Sequence, residues 1–170
     1  MKKVLIVLLV VSAVFSTSIA ALGLNSPSVA KGGGVITGMF ATEDVGLLLG
    51  LEYGISPQFA ISGRVGLDDF DFSKLALKYE VSPNFAILGG VYEYGLDKEP
   101  YFGINGSVAF DRDISGILEA GVIMGDDVEV VYEAGIKYNI NREVDIRLGV
   151  LGSTYDWDES AFELGVGFKF

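Results

Sequence analysis

Cysteine and histidine are both absent from the 170-residue chain. Without cysteine there is no disulfide framework to staple a small secreted fold and no thiol for lipid attachment. Without histidine the commonest general base, metal ligand and near-neutral pH switch are gone together. No enzyme is expected, and no metal is firmly predicted. No cofactor is expected either, beyond calcium or magnesium held loosely by acidic loops. Positive charge is short as well: 12 Lys and Arg stand against 23 Asp and Glu, for a formal net charge of -11. So acidic a surface argues against nucleic acid as a partner.

Long apolar runs are missing too, except at the start. "MKKVLIVLLVVSAVFSTSIA" opens on Lys2 and Lys3, continues apolar, and offers Ser18 and Ala20 as the small residues of a cleavage site. Residues 1–20 are read as a removed secretory signal, residues 21–32 as a short N-terminal segment, and residues 33–170 as the folded domain.

Within that domain no helical period is sustained; apolar residues alternate with glycine, small or charged ones. In "DVGLLLGLEYGIS", Val45, Leu47, Leu49, Leu51, Tyr53 and Ile55 share one face, and Gly46, Leu48, Gly50, Glu52 and Gly54 the other. The turn "YGISPQFAIS" at residue 53 recurs as "YEVSPNFAIL" at 79, with looser counterparts "FDRDIS" at 110 and "INREVDI" at 140, so the repeating unit is a hairpin. Ten strands are expected, over residues 33–42, 45–55, 59–67, 73–81, 85–93, 100–110, 114–124, 128–140, 144–153 and 160–170. Eight is the alternative count.

Alternation alone fits a soluble sandwich equally well, so the chemistry of the two faces decides. The face with Phe59, Leu75, Phe85, Phe102, Ile146 and Phe162 carries no charge except Glu93, at a strand end. The opposite face is rich in glycine, and its charges nearly balance: Glu52, Glu80, Glu119, Glu129, Glu133, Asp145 and Glu163 against Arg64, Lys74, Lys78, Lys137, Arg147 and Lys169. That combination suits hydrocarbon outside and a crowded interior that neutralises itself. Aromatic residues gather at the strand ends, as they do where hydrocarbon meets headgroups. Tyr53, Phe59, Tyr79, Phe85, Phe110 and Tyr138 flank the tight turns, and Phe40, Phe70, Phe72, Tyr155 and Trp157 lie toward the other end. The expected fold is an all-β, transmembrane, antiparallel up-and-down barrel.

The chain ends "ELGVGFKF", and its Gly165, Phe168 and Phe170 resemble the C-terminal assembly signal of Gram-negative outer-membrane barrel proteins. The "SPQFAI" and "SPNFAI" turns are similar to those of small OmpA-type and opacity-type barrels. The resemblance implies an outer-membrane location, contact with lipid and lipopolysaccharide, and delivery by the barrel-assembly machinery. It also implies both termini on the periplasmic side, with the tight turns periplasmic and the acidic connections external. Barrel enzymes of that class, the omptin proteases and the lipid-A acylases and deacylases, depend on histidine, which this chain lacks.

Two sets of residues stand out as candidate sites. The first is a lumen charge network of Glu52, Arg64, Lys78, Glu80, Glu119, Glu133, Lys137, Arg147 and Glu163. Within it, Glu119 and Glu133 are expected to face each other across a short "GDD" turn, inviting a cation or joining a salt-bridge network with Lys137 or Arg147. The second is an external rim of Asp68, Asp69, Asp71, Asp126, Asp127, Asp156 and Asp158, suited to drawing cations or to bridging lipopolysaccharide phosphates through calcium or magnesium. The function expected is that of a monomeric, narrow, cation-preferring pore or an envelope-stabilising scaffold. A surface adhesion or ligand-binding barrel is the alternative.

Overall fold

The structure, a computed structural model, describes residues 25–28, 30–42, 46–67, 72–94, 97–154 and 160–170. Ten strands follow one another: β1 (Gly34–Ala41), β2 (Gly46–Gly54), β3 (Phe59–Gly66), β4 (Phe72–Ser82), β5 (Phe85–Tyr94), β6 (Asp97–Ala109), β7 (Ile114–Met124), β8 (Val128–Asn139), β9 (Val144–Ser153) and β10 (Ala161–Lys169). Each pairs antiparallel with its sequence neighbours, and β1 pairs with β10, so the sheet closes on itself without an edge. The strand number is ten, not the alternative eight.

Local chemistry fixes the tight turns. After β2, the Ser56 hydroxyl accepts from the backbone N–H groups of Gln58 and Phe59, at 3.3 and 3.0 Å. After β8, the Asn141 carbonyl oxygen does the same for Glu143 and Val144, at 2.8 and 2.9 Å. In both, a short polar side chain stands in for a backbone acceptor and fixes the reversal. Between β4 and β5 the register slips between Glu80 and Ser82, a bulge that leaves Val81 exposed.

One boundary departs from the sequence reading. β6 begins at Asp97, although "LDKE" reads as a connection up to residue 99. The ladder runs on through Glu93↔Lys98 and Tyr94↔Asp97, and the Lys98 ammonium lies 3.0 Å from the Glu93 carboxylate. Charges that mark a loop in the sequence here pair across two strands.

Burial reveals which solvent the surface is built for. Phe102, Leu148, Phe162 and Leu164 are 54–64 % exposed, while Glu52, Glu133 and Asp145 are fully buried. In water such an apolar girdle would drive aggregation; against acyl chains it is the favourable side outward. Closure is the matching requirement, because hydrocarbon offers no partner to an unpaired backbone amide. The barrel is therefore a transmembrane one.

At the tight-turn end Phe59, Phe85, Phe110, Tyr138, Phe168 and Phe170 are all exposed, with the Phe59 and Tyr79 rings 5.0 Å apart. At the far end Phe40 is 61 % exposed. Phe70, Tyr155 and Trp157 lie outside the described residues, as does the side chain of Phe72.

Candidate functional site

Every second residue of each strand points into the lumen, and there the sequence supplies ions, glycines and a set of apolar and small polar side chains. Five carboxylates (Glu52, Glu119, Glu133, Asp145, Glu163) and five cations (Arg64, Lys74, Lys78, Lys137, Arg147) are buried among the described residues. Their charges cancel.

Two groups share them. Near the tight turns, Lys78 donates to both oxygens of Glu52 at 2.7 Å. Arg147 Nε donates to Asp145 Oδ1 at 2.6 Å, and Lys169 reaches the other Asp145 oxygen at 3.2 Å. Farther along the strands, Arg64 forks between two strands: Nη1 donates to Glu133 Oε2 at 2.9 Å and Nη2 to Glu163 Oε2 at 2.8 Å. Lys74 pairs with Glu119. Tyr101 donates its hydroxyl to the same carboxylate at 3.0 Å, and its ring lies 4.7 Å from the Lys74 ammonium.

Glycines make the space for these heads. Gly103 and Gly121 stand opposite each other on β6 and β7, and the Tyr101 ring lies across both. A methyl at Gly103 would stand 2.8 Å from the ring carbon that bears the hydroxyl. The remaining inward side chains are mostly apolar, with Thr37, Ser62, Ser73 and Asn105 buried among them. Met39, Ala41, Leu48, Ile117 and Ala161 form one buried cluster, and Ala76, Leu88, Tyr101, Ile123 and Val131 another, with Tyr92 packed against both. Beside the ions a cleft of about 10 Å³, lined by Asn25, Glu52, Ser62, Arg64, Lys74 and Glu119, has room for about one water.

Of the sequence-predicted network, Glu52, Arg64, Lys78, Glu119, Glu133, Lys137, Arg147 and Glu163 are buried, whereas Glu80 is partly exposed at the mouth beside Pro27. Glu119 and Glu133 do face each other across β7 and β8. Their cations are Lys74 and Arg64, not Lys137 or Arg147, because those come across the lumen from β3 and β4. Lys74 and Asp145, which alternation sets on the same face, belong to the network as fully as the residues singled out.

Sequence reasoning gives no role to residues 25–27. They enter the tight-turn mouth: Asn25 and Pro27 are buried. Arg147 donates to the Asn25 side-chain amide oxygen at 2.6 Å, Lys78 to the Ser26 backbone carbonyl at 2.9 Å, and Lys137 to the Ser26 hydroxyl. "NSPS" has neither alternation nor charge to announce such contacts.

In the rim, Asp126 and Asp127 are exposed between β7 and β8; Asp68, Asp69, Asp71, Asp156 and Asp158 lie outside the described residues. Among the described residues no group of three or more acidic side chains is gathered for a metal ion. Gly165 is buried on the lumen side of β10, Phe168 points outward, and Phe170 exchanges two backbone hydrogen bonds with Gly34, each 2.9 Å.

No family model matches the chain, and no curated protein matches it. Among solved structures it is similar to the KdgM porin, at 11% identity over 81% of this chain and 99% of that one, with a TM-score of 0.49. A de novo designed transmembrane β-barrel gives 12% identity over 84% and 99%, with a TM-score of 0.45. The N-terminal β-barrel domain of Pseudomonas aeruginosa OprF gives 14% over 82% and 98%, with a TM-score of 0.36. At such identities the likeness extends to the barrel fold and no further.

Proposed function

We propose that the chain is a monomeric outer-membrane barrel with a closed lumen, serving the cell envelope as a stabilising scaffold. The observation that carries this reading is the filling of the interior: ten buried charges balance in sum, nine of them in direct ion pairs or forks and Lys137 on the Ser26 hydroxyl, and two apolar clusters occupy the space between them. Ions crossing such a lumen would have to break charge pairs that the surroundings leave no water to replace. The narrow cation-preferring pore is the reading this displaces.

In the scaffold reading residues 1–20 are a cleaved signal, the tight turns face the periplasm, and Gly165, Phe168 and Phe170 address the barrel-assembly machinery. Lipid and lipopolysaccharide are the partners. Asp126 and Asp127, with the other acidic residues of the outer connections, present carboxylates that calcium or magnesium would link to lipopolysaccharide phosphates. Adhesion suits this barrel less well, since only two residues separate β5 from β6 and three separate β7 from β8.

Planar-bilayer recording on protein purified in detergent tests the reading. The folded state is verified by faster gel migration before boiling than after. Current indistinguishable from the protein-free bilayer is expected. Discrete, cation-selective steps would replace the scaffold with the pore.

A further inference from the structure

Residues 25–27 occupy the tight-turn mouth as a ligand would. Lys78 from β4, Lys137 from β8 and Arg147 from β9 converge on them, and all three cations are at least nine-tenths buried. What they receive from the segment is an amide oxygen, a carbonyl and a hydroxyl, none of them charged. The carboxylates close by are already engaged: Glu52 by Lys78, and Asp145 by Arg147 and Lys169. Glu80, partly exposed, borders the shallow depression around Pro27.

The lumen is thus neutral as a whole but divided. Near the tight turns three buried cations meet two buried carboxylates; farther in, two cations meet three. The positive excess rests at Lys137, whose hydrogen bond goes to the Ser26 hydroxyl. A charged oxygen in that place makes a bond roughly twice as strong as a neutral one. Apart from these contacts the segment has no ladder to hold it: residues 25–28 belong to no strand, and Ser28 and Ala30 are exposed.

We propose that the tight-turn mouth is a binding site for a small oxyanion, a phosphate or carboxylate group, and that residues 25–27 are its built-in, displaceable occupant. Lys78, Lys137 and Arg147 are the binding side chains. Arg147 presents a planar fork and the two lysines movable point charges, a set that fits three oxygens around one centre. The site needs only the barrel and its mouth, so it stands apart from whether the lumen conducts.

Because the chain has no cysteine, one introduced thiol reports on the segment. Pro27→Cys leaves the Asn25 and Ser26 contacts in place, and Ser28→Cys, exposed next to it, is the reference. In detergent micelles, with folding checked by gel mobility, a water-soluble maleimide should label the residue-27 thiol about tenfold more slowly than the residue-28 thiol. Inorganic phosphate should speed labelling at residue 27 several-fold and saturably, against sodium chloride of matched ionic strength. Lys137→Met should abolish that response. Vesicles containing phosphatidylglycerol form a second arm; acceleration there without a response to free phosphate assigns the oxyanion to a lipid headgroup. Equal labelling of the two thiols without anion, or no acceleration by either anion beyond chloride, overturns the proposal. For substituted chains that do not fold, phosphate titration of the unsubstituted chain decides instead: the Arg147 side-chain NMR signal should shift saturably, and an unmoved signal overturns the proposal.

Discussion

Arg64 is the side chain on which most depends. It bonds both Glu133 and Glu163, and both lie in a group where carboxylates outnumber cations. Arg64→Met would leave two buried carboxylates without their partner, and a loss of about 3–5 kcal/mol is expected. Glu163→Gln removes a surplus negative charge and keeps the Arg64–Glu133 pair, so about 1 kcal/mol or less should be lost. Urea titrations of folded protein, followed by gel mobility, measure both. Equal losses would mean that the fork does not act as described. Tyr101 gives a second test at this scale. Gly103→Ala drives a methyl into its ring and should cost about 1–3 kcal/mol by overpacking. In a Tyr101→Ala background, itself destabilised by the lost ring, the same Gly103→Ala change should cost little, since the two side chains would no longer compete for one space.

At the scale of the strand, depth in the bilayer sets the cost of charge. Leu118→Arg and Leu148→Arg, on outward faces within β7 and β9, should each cost about 2–4 kcal/mol if placed near the bilayer midplane, whereas Ile140→Arg at a turn should cost about 1 kcal/mol or less. Folding titrations into lipid vesicles read the difference. β10 carries a separate prediction. Deleting Phe170 should lower the amount of barrel recovered from cell outer membranes several-fold while refolding into detergent stays efficient. Equal loss in both would make Phe170 a closure residue only, through its bonds to Gly34. The strands are readable in the sequence because each carries opposite chemistries on its two faces, and a slip of one residue would put ions into lipid. The start of β6 is not, because Asp97, Lys98 and Glu99 are types depleted in strands, yet they stand in the ladder opposite Tyr94, Glu93 and Tyr92.

For the molecule as a whole, the location of its charge pairs makes a prediction about salt. Raising sodium chloride to about 1 M, where the screening length falls to about 3 Å, should leave unfolding midpoints nearly unchanged, because the pairs lie inside. A large fall would place them in contact with bulk solvent. This scale is also where the sequence falls silent. Alternation assigns a side chain to the lumen, but which ions meet there depends on how the closed sheet brings distant strands face to face. Arg64 reaches partners 69 and 99 positions away, and Arg147 reaches Asn25 across 122. No local pattern encodes such distances. The seam between β1 and β10 has a consequence for biosynthesis. The strand that opens the barrel finds its second neighbour only once β10 has been made. A product truncated by even its last strand would carry two raw edges and a leaking polar interior, and would be fit for proteolysis, not for partial service.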